Sequence, residues 1–415
     1  MKFFEELGKE IDRRWRARHY DERAFPDIAT AMLSERSPID RLGPDDITNW
    51  ILSTDVQVVQ NPSEFGDPPI ALYHDSRVLI QALIWVDGTT AIHQHAFSGA
   101  FQVFAGSSIH SQWHFRETAR VSSALLFGHM ERVAVEMLRQ RDIRPISAGT
   151  SFIHSLFHLD RPSISLTVRT RHEKQHDPQY AYFPPHIAED PFTVNPLVET
   201  RLRCLASMEK FDPSYDQALE RFVDQHDFKS ALAALRQDYL TRHSDDRLAE
   251  LIGRMRERHG ELVEMVVPVL REEARRQNIT DRRGQVTNDA HRYFLALLLN
   301  LQGRAEILEM VGERFPGDPT HTVMRWAKEL TTTSPDGTFA LLDLKIEPDG
   351  RELGFRIDNM VHAVFLALLQ GASFEEALAG LRSDFDARSV DAEKESIQAL
   401  YEALRNSSVF HPLFC

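Results

Sequence analysis

The 415-residue chain has only two cysteines, Cys204 and Cys415, too few for a disulfide framework or a thiolate zinc site. It has no apolar run near the length of about 18 residues that a membrane-spanning helix needs. Its start, MKFFEELGKEIDRRWRAR, interleaves acids and bases where a secretory leader is apolar. Basic charge is in deficit: 48 Lys and Arg against 62 Asp and Glu leave a formal charge of −14, a field that repels nucleic-acid backbones and anionic membranes. These absences lead us to expect a cytoplasmic protein with neither nucleic acid nor membrane as partner.

What remains is an ordinary folded composition, 42% hydrophobic and 27% charged, with a length that predicts two or three domains. Histidine is the unusual component. Twelve of the 19 lie in the first 200 residues, and seven of those fall between His93 and His158.

The pattern along the chain is that of an α+β protein. Residues 1–54 read as N-terminal helices packing on a β-rich domain: Phe3, Phe4, Leu7, Ile11 and Trp15 recur at spacings of three and four, a second helix covers Asp27–Leu33, and a third starts after Pro44 with Asp45 and Asp46 in its first turn. Residues 55–171 change to short Val, Ile, Phe and Thr runs between turn signals at Val86-Asp87-Gly88, Ala105-Gly106-Ser107 and Ala148-Gly149, which predicts a β-barrel or sandwich. The run VLIQALIW (78–85) is apolar on both faces, as in a buried strand. Residues 172–196 read as a linker, with the aromatics of 179–185 either a lid over the barrel mouth or glue between barrel and helices. Residues 197–415 read as a helical domain, interrupted by Pro316-Gly-Asp-Pro319, Ser334-Pro-Asp-Gly337 and a brief hairpin within 338–357 around Glu347-Pro-Asp-Gly350. This half is large enough for a homodimer contact.

The chemistry concentrates in the β segment. His93-Gln94-His95 sits at the end of a predicted strand, where alternation turns both imidazoles to one face and Gln94 to the other. His154, on a short strand after the Gly149 turn, is placed to add a third imidazole by antiparallel pairing. Imidazole suits iron, zinc, copper and nickel. His110, Gln112 and His114 share one face of the strand Ser108–Phe115, which is either inward, making them supports of the site or substrate contacts, or solvated. His158 is a runner-up ligand, or orients the loop against Asp160. Arg169 and Arg171 are either anion contacts or a charged strand end.

Two stretches carry a family resemblance. GTTAIHQHAFSGAFQVFAG (88–106) resembles the first cupin motif and PISAGTSFIHSLFH (145–158) the second. The resemblance covers about residues 72–171, and implies a small barrel holding a metal on His93, His95 and His154. Most cupins add a glutamate four or five residues after the His-x-His, where this chain has Gly99 and Ala100. A three-histidine set looks like that of the thiol dioxygenases (cysteine and 3-mercaptopropionate dioxygenases), and the stretch from His158 to Arg169 is similar to their H-x-x-x-P-x-x-S-L strand. It retains Ser165 but has Thr167 and Arg169 where that family has His and Tyr. The arginine that holds the substrate carboxylate in that family has no firm counterpart; Tyr73, His74 and Arg77 lie in the corresponding region, and Tyr73 and His74 join the candidate site.

The resemblance implies a cytoplasmic non-haem iron(II) oxygenase or oxidase acting with dioxygen on a small polar substrate, with zinc, nickel or manganese as alternative metals. Two other readings stay open: a non-oxidative metal-dependent isomerase, lyase or hydrolase, and a non-catalytic ligand-sensing or interaction protein.

Overall fold

The computed structural model describes residues 2–60, 65–86, 88, 90–332, 344–345, 352–353 and 359–415. Contacts divide the chain into two compact units, residues 1–274 and 275–415. The α+β architecture is the one the sequence predicts, with N-terminal helices, a closed six-stranded β-barrel and a large helical region.

Three helices open the first unit: α1 (Lys2–Arg16), α2 (Phe25–Glu35) and α3 (Pro44–Ile51). The apolar stripe read from the sequence is the buried face of α1, with Phe4, Leu7, Ile11 and Trp15 inward. Eleven strands come next: β1 (Pro69–His74), β2 (Val78–Trp85), β3 (Ile92–His95), β4 (Gly99–Ala105), β5 (Ser108–Ser122), β6 (Leu125–Leu138), β7 (Ile143–Ile146), β8 (Gly149–His158), β9 (Ser163–Thr170), β10 (Ala181–Phe183) and β11 (Ile187–Glu189). They form a five-stranded sheet, β1-β2-β9-β4-β7, and a closed six-stranded ring, β10-β11-β6-β5-β8-β3.

The alternation of side chains on these strands builds separate layers. Val78, Ile80 and Ala82 of β2 and Leu166 and Val168 of β9 join Phe4, Leu7, Phe25 and Met32 between the five-stranded sheet and α1–α3. Full burial of such a side chain stabilises by roughly 1.5–3 kcal/mol. The opposite face of β4 turns Phe101 and Val103 toward Leu156 of β8 and Leu138 of β6, so a second core lies between the two sheets. This is why β2 is apolar on both faces. A third cluster, Ile92, Ile153 and Tyr182, lies on the other side of β3 and β8.

Residues 172–196, read as a linker, contain β10 and β11, and these strands close the six-stranded ring between β3 and β6. Composition concealed them because each is three residues long and flanked by prolines. Tyr180 and Tyr182 are buried, so these aromatics are packed rather than exposed as a lid. The helical segment begins with α4 (Pro196–Met208), α5 (Tyr215–Gln225), α6 (Phe228–Arg242), α7 (Asp245–His259) and α8 (Val266–Gln285). The first of these share one core with the barrel, since Leu125, Phe127 and Ile187 pack among Leu219, Phe222, Phe228 and Leu232. Arg236 of α6 adds a buried ionic bridge, donating to Glu189 of β11 and Glu273 of α8, each at 3.0 Å. The compact boundary therefore falls at residue 274, well past the composition change at 197, because α4 to α7 need the outer face of β6 and β11 to bury their own apolar stripes.

The second unit contains α9 (Asp289–Asn300), α10 (Arg304–Arg314), α11 (Pro319–Thr332), α12 (Asn359–Leu369), α13 (Phe374–Asp384), α14 (Ala387–Ala392) and α15 (Lys394–Arg405). Its core gathers Phe294, Leu297, Trp326, Phe365 and Phe410. Leu344–Lys345 and Glu352–Leu353 pair antiparallel, as the expected hairpin requires. Its turn, the Ser334-Pro-Asp-Gly337 break, and Asp87 and Thr89 beside the first histidine motif lie outside the described residues. Among the described residues, no helix is long and apolar enough to cross a membrane.

Candidate metal centre

His93 and His95 occupy the four-residue strand β3, and its register sets His93 opposite His154 on β8. All three are at least 93% buried in the layer between the two sheets, and their ligand atoms lie within 4.8 Å of one another. The ring of His93 donates from Nδ1 to the Ala91 carbonyl at 2.8 Å. A carbonyl only accepts, so the proton sits on Nδ1 and Nε2 presents a lone pair, which has no partner. The Nε2 atoms of His95 and His154 face each other at 2.9 Å. Gln94 points the other way, accepting from the Tyr182 hydroxyl and donating to the Pro178 carbonyl at 2.9 Å. The segment after β9 braces this strand further: the backbone N–H of Ala96 donates to Gln179, and that of Ser98 to the buried Glu173 carboxylate.

The surroundings keep the imidazoles neutral. Burial pushes His93 down to about 4, and pushes His95 and His154 well below the ordinary imidazole range. Neutral imidazole is the form that ligates a metal. The wall is aromatic: Phe97 lies 4.4 Å from His95 and Phe152 4.5 Å from His154, centroid to centroid, with Phe65 edge-on to His93 at 5.2 Å. Three buried nitrogens directed at one point, with no hydrogen-bond donor supplied to His93 Nε2, are costly unless a ligand completes them. The donor set fits a divalent first-row ion and implies a metal cofactor.

At Gly99, one of the two positions where the resemblance leads us to expect a fourth ligand, a side chain is sterically shut out, and the other, Ala100, packs in the core on the helix side of the sheet. A Cβ added to Gly99 would sit 2.2 Å from the Val168 carbonyl oxygen and 2.9 Å from Arg169 Cα. The close approach of β4 to β9 at Gly99 therefore leaves no room there for a glutamate beside the three imidazoles.

The other sequence candidates fall in different places. His110 is fully buried, with Nε2 3.1 Å from His154 Nδ1. Gln112 pairs with His154 across β5 and β8 and is half-buried, whereas His114 is exposed. The pairing of β5 with β8 ends at Trp113, so His114 lacks a neighbour on that side. His158 is buried, stacks on Trp85 with centroids 4.7 Å apart, and meets Ser108 Oγ through Nδ1 at 3.0 Å. Asp160, the partner expected for His158, accepts instead from Ser107. Ser165 lies on the inward face of β9, opposite Leu83 and Val103. Tyr73 lies on the other side of its sheet, against Gly8 of α1, with its hydroxyl donating to Asp75 at 2.7 Å. A bulge between Ala71 and Tyr73 turns it toward the helices and leaves His74 half-buried opposite Leu79.

Arg169 lies close enough to His95 to depress its protonation. Its guanidinium stacks over Phe97, 4.4 Å from the ring centroid, and donates to Gln81 at 3.2 Å. Burial, with Arg171 nearby, lowers it to about 10. The residues that sequence reasoning missed are Glu136, Arg144, Gln81, Phe97 and Trp85. Glu136 is 26 residues from His110 and meets it only through the cross-strand register of β5 and β6. No local pattern signals that pairing.

No protein-family model matches the chain, and no curated protein matches it in sequence. Solved structures resemble part of it. A cupin superfamily protein from Desulfitobacterium hafniense DCB-2 is 13% identical over 25% of this chain and 74% of its own, with a TM-score of 0.17. An oxalate oxidase is 14% identical over 40% of this chain and 79% of its own, with a TM-score of 0.20. A structure of the DMSP lyases RdDddP and RnDddQII is 16% identical over 22% of this chain and 38% of its own, at 0.15. At these identities and scores the alignments neither establish a family nor assign a reaction.

Proposed function

We propose that the protein is a mononuclear non-haem iron(II) oxygenase or oxidase of a small anionic substrate, thiol-dioxygenase-like in its three-histidine ligation. The observation that carries this reading is the convergence of His93, His95 and His154 in a buried, aromatic-walled layer, with no room for a carboxylate side chain at Gly99. These three residues would hold the ion through Nε2. Bound there, iron(II) supplies open coordination positions and the redox capacity for oxidation by dioxygen.

The chain's own residues do the rest. The Nδ1–H of His93, donated to Ala91, keeps its Nε2 lone pair directed inward. Phe97, Phe101 and Phe152 exclude water from the histidine cluster. Arg169 is a half-buried cation on the His95 side of the site, and a carboxylate or comparable anion would meet it through two parallel hydrogen bonds. Gln81 fixes the guanidinium from behind. Thr167 and Arg169 replace the His and Tyr expected from the thiol-dioxygenase resemblance, so substrate orientation in this reading comes from a cation in place of a phenol.

The test is dioxygen uptake by iron-loaded and zinc-loaded protein across a panel of small carboxylates, with and without a thiol. Uptake by the iron form alone, with Arg169→Leu raising KM at unchanged iron content, is the expected result. Anaerobic turnover that is equal with zinc would instead select the non-oxidative reading.

A further inference from the structure

A chain of polar groups runs outward from His154. His154 Nδ1 lies 3.1 Å from His110 Nε2, and His110 Nδ1 lies 2.9 Å from Glu136 Oε1. Arg144 closes the chain, donating to Glu136 through Nε at 2.8 Å and through Nη2 to the second carboxylate oxygen. The Arg144 hydrogen bonds and His110 hold the Glu136 carboxyl down at about 2, so it is a carboxylate at any ordinary pH. Glu136 and Arg144 are half-buried at the outer end, while His110 is fully buried.

The direction of every bond is set from one end. A carboxylate only accepts, so the proton shared with Glu136 belongs to His110 Nδ1. His110 faces two groups, the Glu136 carboxylate at Nδ1 and His154 Nδ1 at Nε2, and the single proton of the neutral ring is the one the carboxylate takes. Its Nε2 is therefore a lone pair and accepts from His154 Nδ1–H. His154 Nε2 is then left as a lone pair facing the point where His93 and His95 converge. By contrast, His95 Nδ1 has no partner to fix its tautomer.

We propose that Arg144, Glu136 and His110 are positioning residues that lock His154 in its Nδ1–H tautomer and orient its Nε2 as a metal ligand. This inference rests on the metal reading of the three histidines and adds residues to it. A hydrogen-bonded carboxylate behind a ligating imidazole raises its basicity, and loss of such a partner typically costs about 10- to 100-fold in metal affinity.

The experiment has two arms. Long-range 15N–1H spectra of the metal-free protein report the His154 tautomer, and chelator competition reports affinity for iron(II) or zinc. The wild type is expected to show a single Nδ1–H tautomer at His154. His110→Leu is expected to show mixed tautomers and affinity about 10- to 100-fold weaker. His110→Gln, whose amide oxygen again accepts from Nδ1–H, restores both. Glu136→Ala, on the half-buried side, weakens affinity less and guards against a folding failure of the buried variants. An unchanged His154 tautomer in His110→Leu and Glu136→Ala, or wild-type affinity in both, overturns the positioning role. Absence of metal binding by the wild type, with the tautomer set as expected, overturns the metal reading itself and with it the purpose of the chain.

Discussion

The interlayer of the barrel and helix α9 set their buried polar groups against different partners. In α9, nine successive residues from His291 to Leu299 are buried, polar ones included. His291 Nε2 meets Glu329 at 2.8 Å, Arg292 donates to the carbonyls of Arg283 and Val286, and the Tyr293 hydroxyl donates to Met310 O at 2.9 Å. In the barrel, His93 Nε2 and His95 Nδ1 are buried with no partner, and the Nε2 atoms of His95 and His154 are set against each other. Burial alone does not separate the two regions. What separates them is what the buried polar groups face: those of α9 meet carbonyls and a carboxylate of neighbouring segments, whereas His93, His95 and His154 bring their ligand atoms within 4.8 Å of one another.

That contrast fails if core damage in the helical unit disturbs the metal centre. Phe294→Ala removes a fully buried ring packed with Trp326 and Phe410. It should lower stability by about 3–5 kcal/mol, read by urea unfolding, with metal content per folded chain unchanged.

On the barrel side, a more modest change is expected at His158. Burial pushes His158 down to about 3 from 6.5. Above pH 6.5 it is neutral in both folded and unfolded chains and contributes no pH dependence. Below that value the unfolded chain takes up a proton that the folded one refuses, so stability falls as pH drops toward 3, by up to about 1.4 kcal/mol per pH unit. His158→Phe keeps the stack on Trp85 and removes this liability. Urea unfolding at pH 7 and pH 5 should show an acid destabilisation about 2 kcal/mol smaller than in the wild type. An unchanged difference would mean that His158 is satisfied or hydrated in solution.

A still milder substitution probes the two faces of the five-stranded sheet. Tyr73→Phe loses one hydrogen bond to Asp75 on the helix side. It should cost about 1 kcal/mol in urea unfolding, with metal affinity unaltered.

Fold and site were legible in the sequence wherever one residue's periodicity decided the outcome. The stripe of α1, the two-faced β2 and the His-x-His alternation are local patterns, and each is present in the structure. The approach of His154 came from two motifs that resemble known ones. What could not be read depends on register. A bulge sends Tyr73 to the helix side, the end of the β5–β8 pairing leaves His114 in solvent, and the pairing of β5 with β6 delivers Glu136 to His110. The closing strands β10 and β11 were hidden because three residues are too few to show a period. The edge of the first unit at residue 274 was equally hidden, because helices that need a barrel face and helices that need each other share one periodicity.

All of this turns on three buried imidazoles holding one metal ion. Elemental analysis of protein purified without added metal or a chelating tag, comparing wild type with His93→Ala/His154→Ala, asks that question with no intermediate step. About one first-row ion per wild-type chain is expected, and none in a variant that keeps its helical and strand content. Metal-free wild type that fails to take up iron(II) or zinc, or equal metal in both proteins, would contradict it.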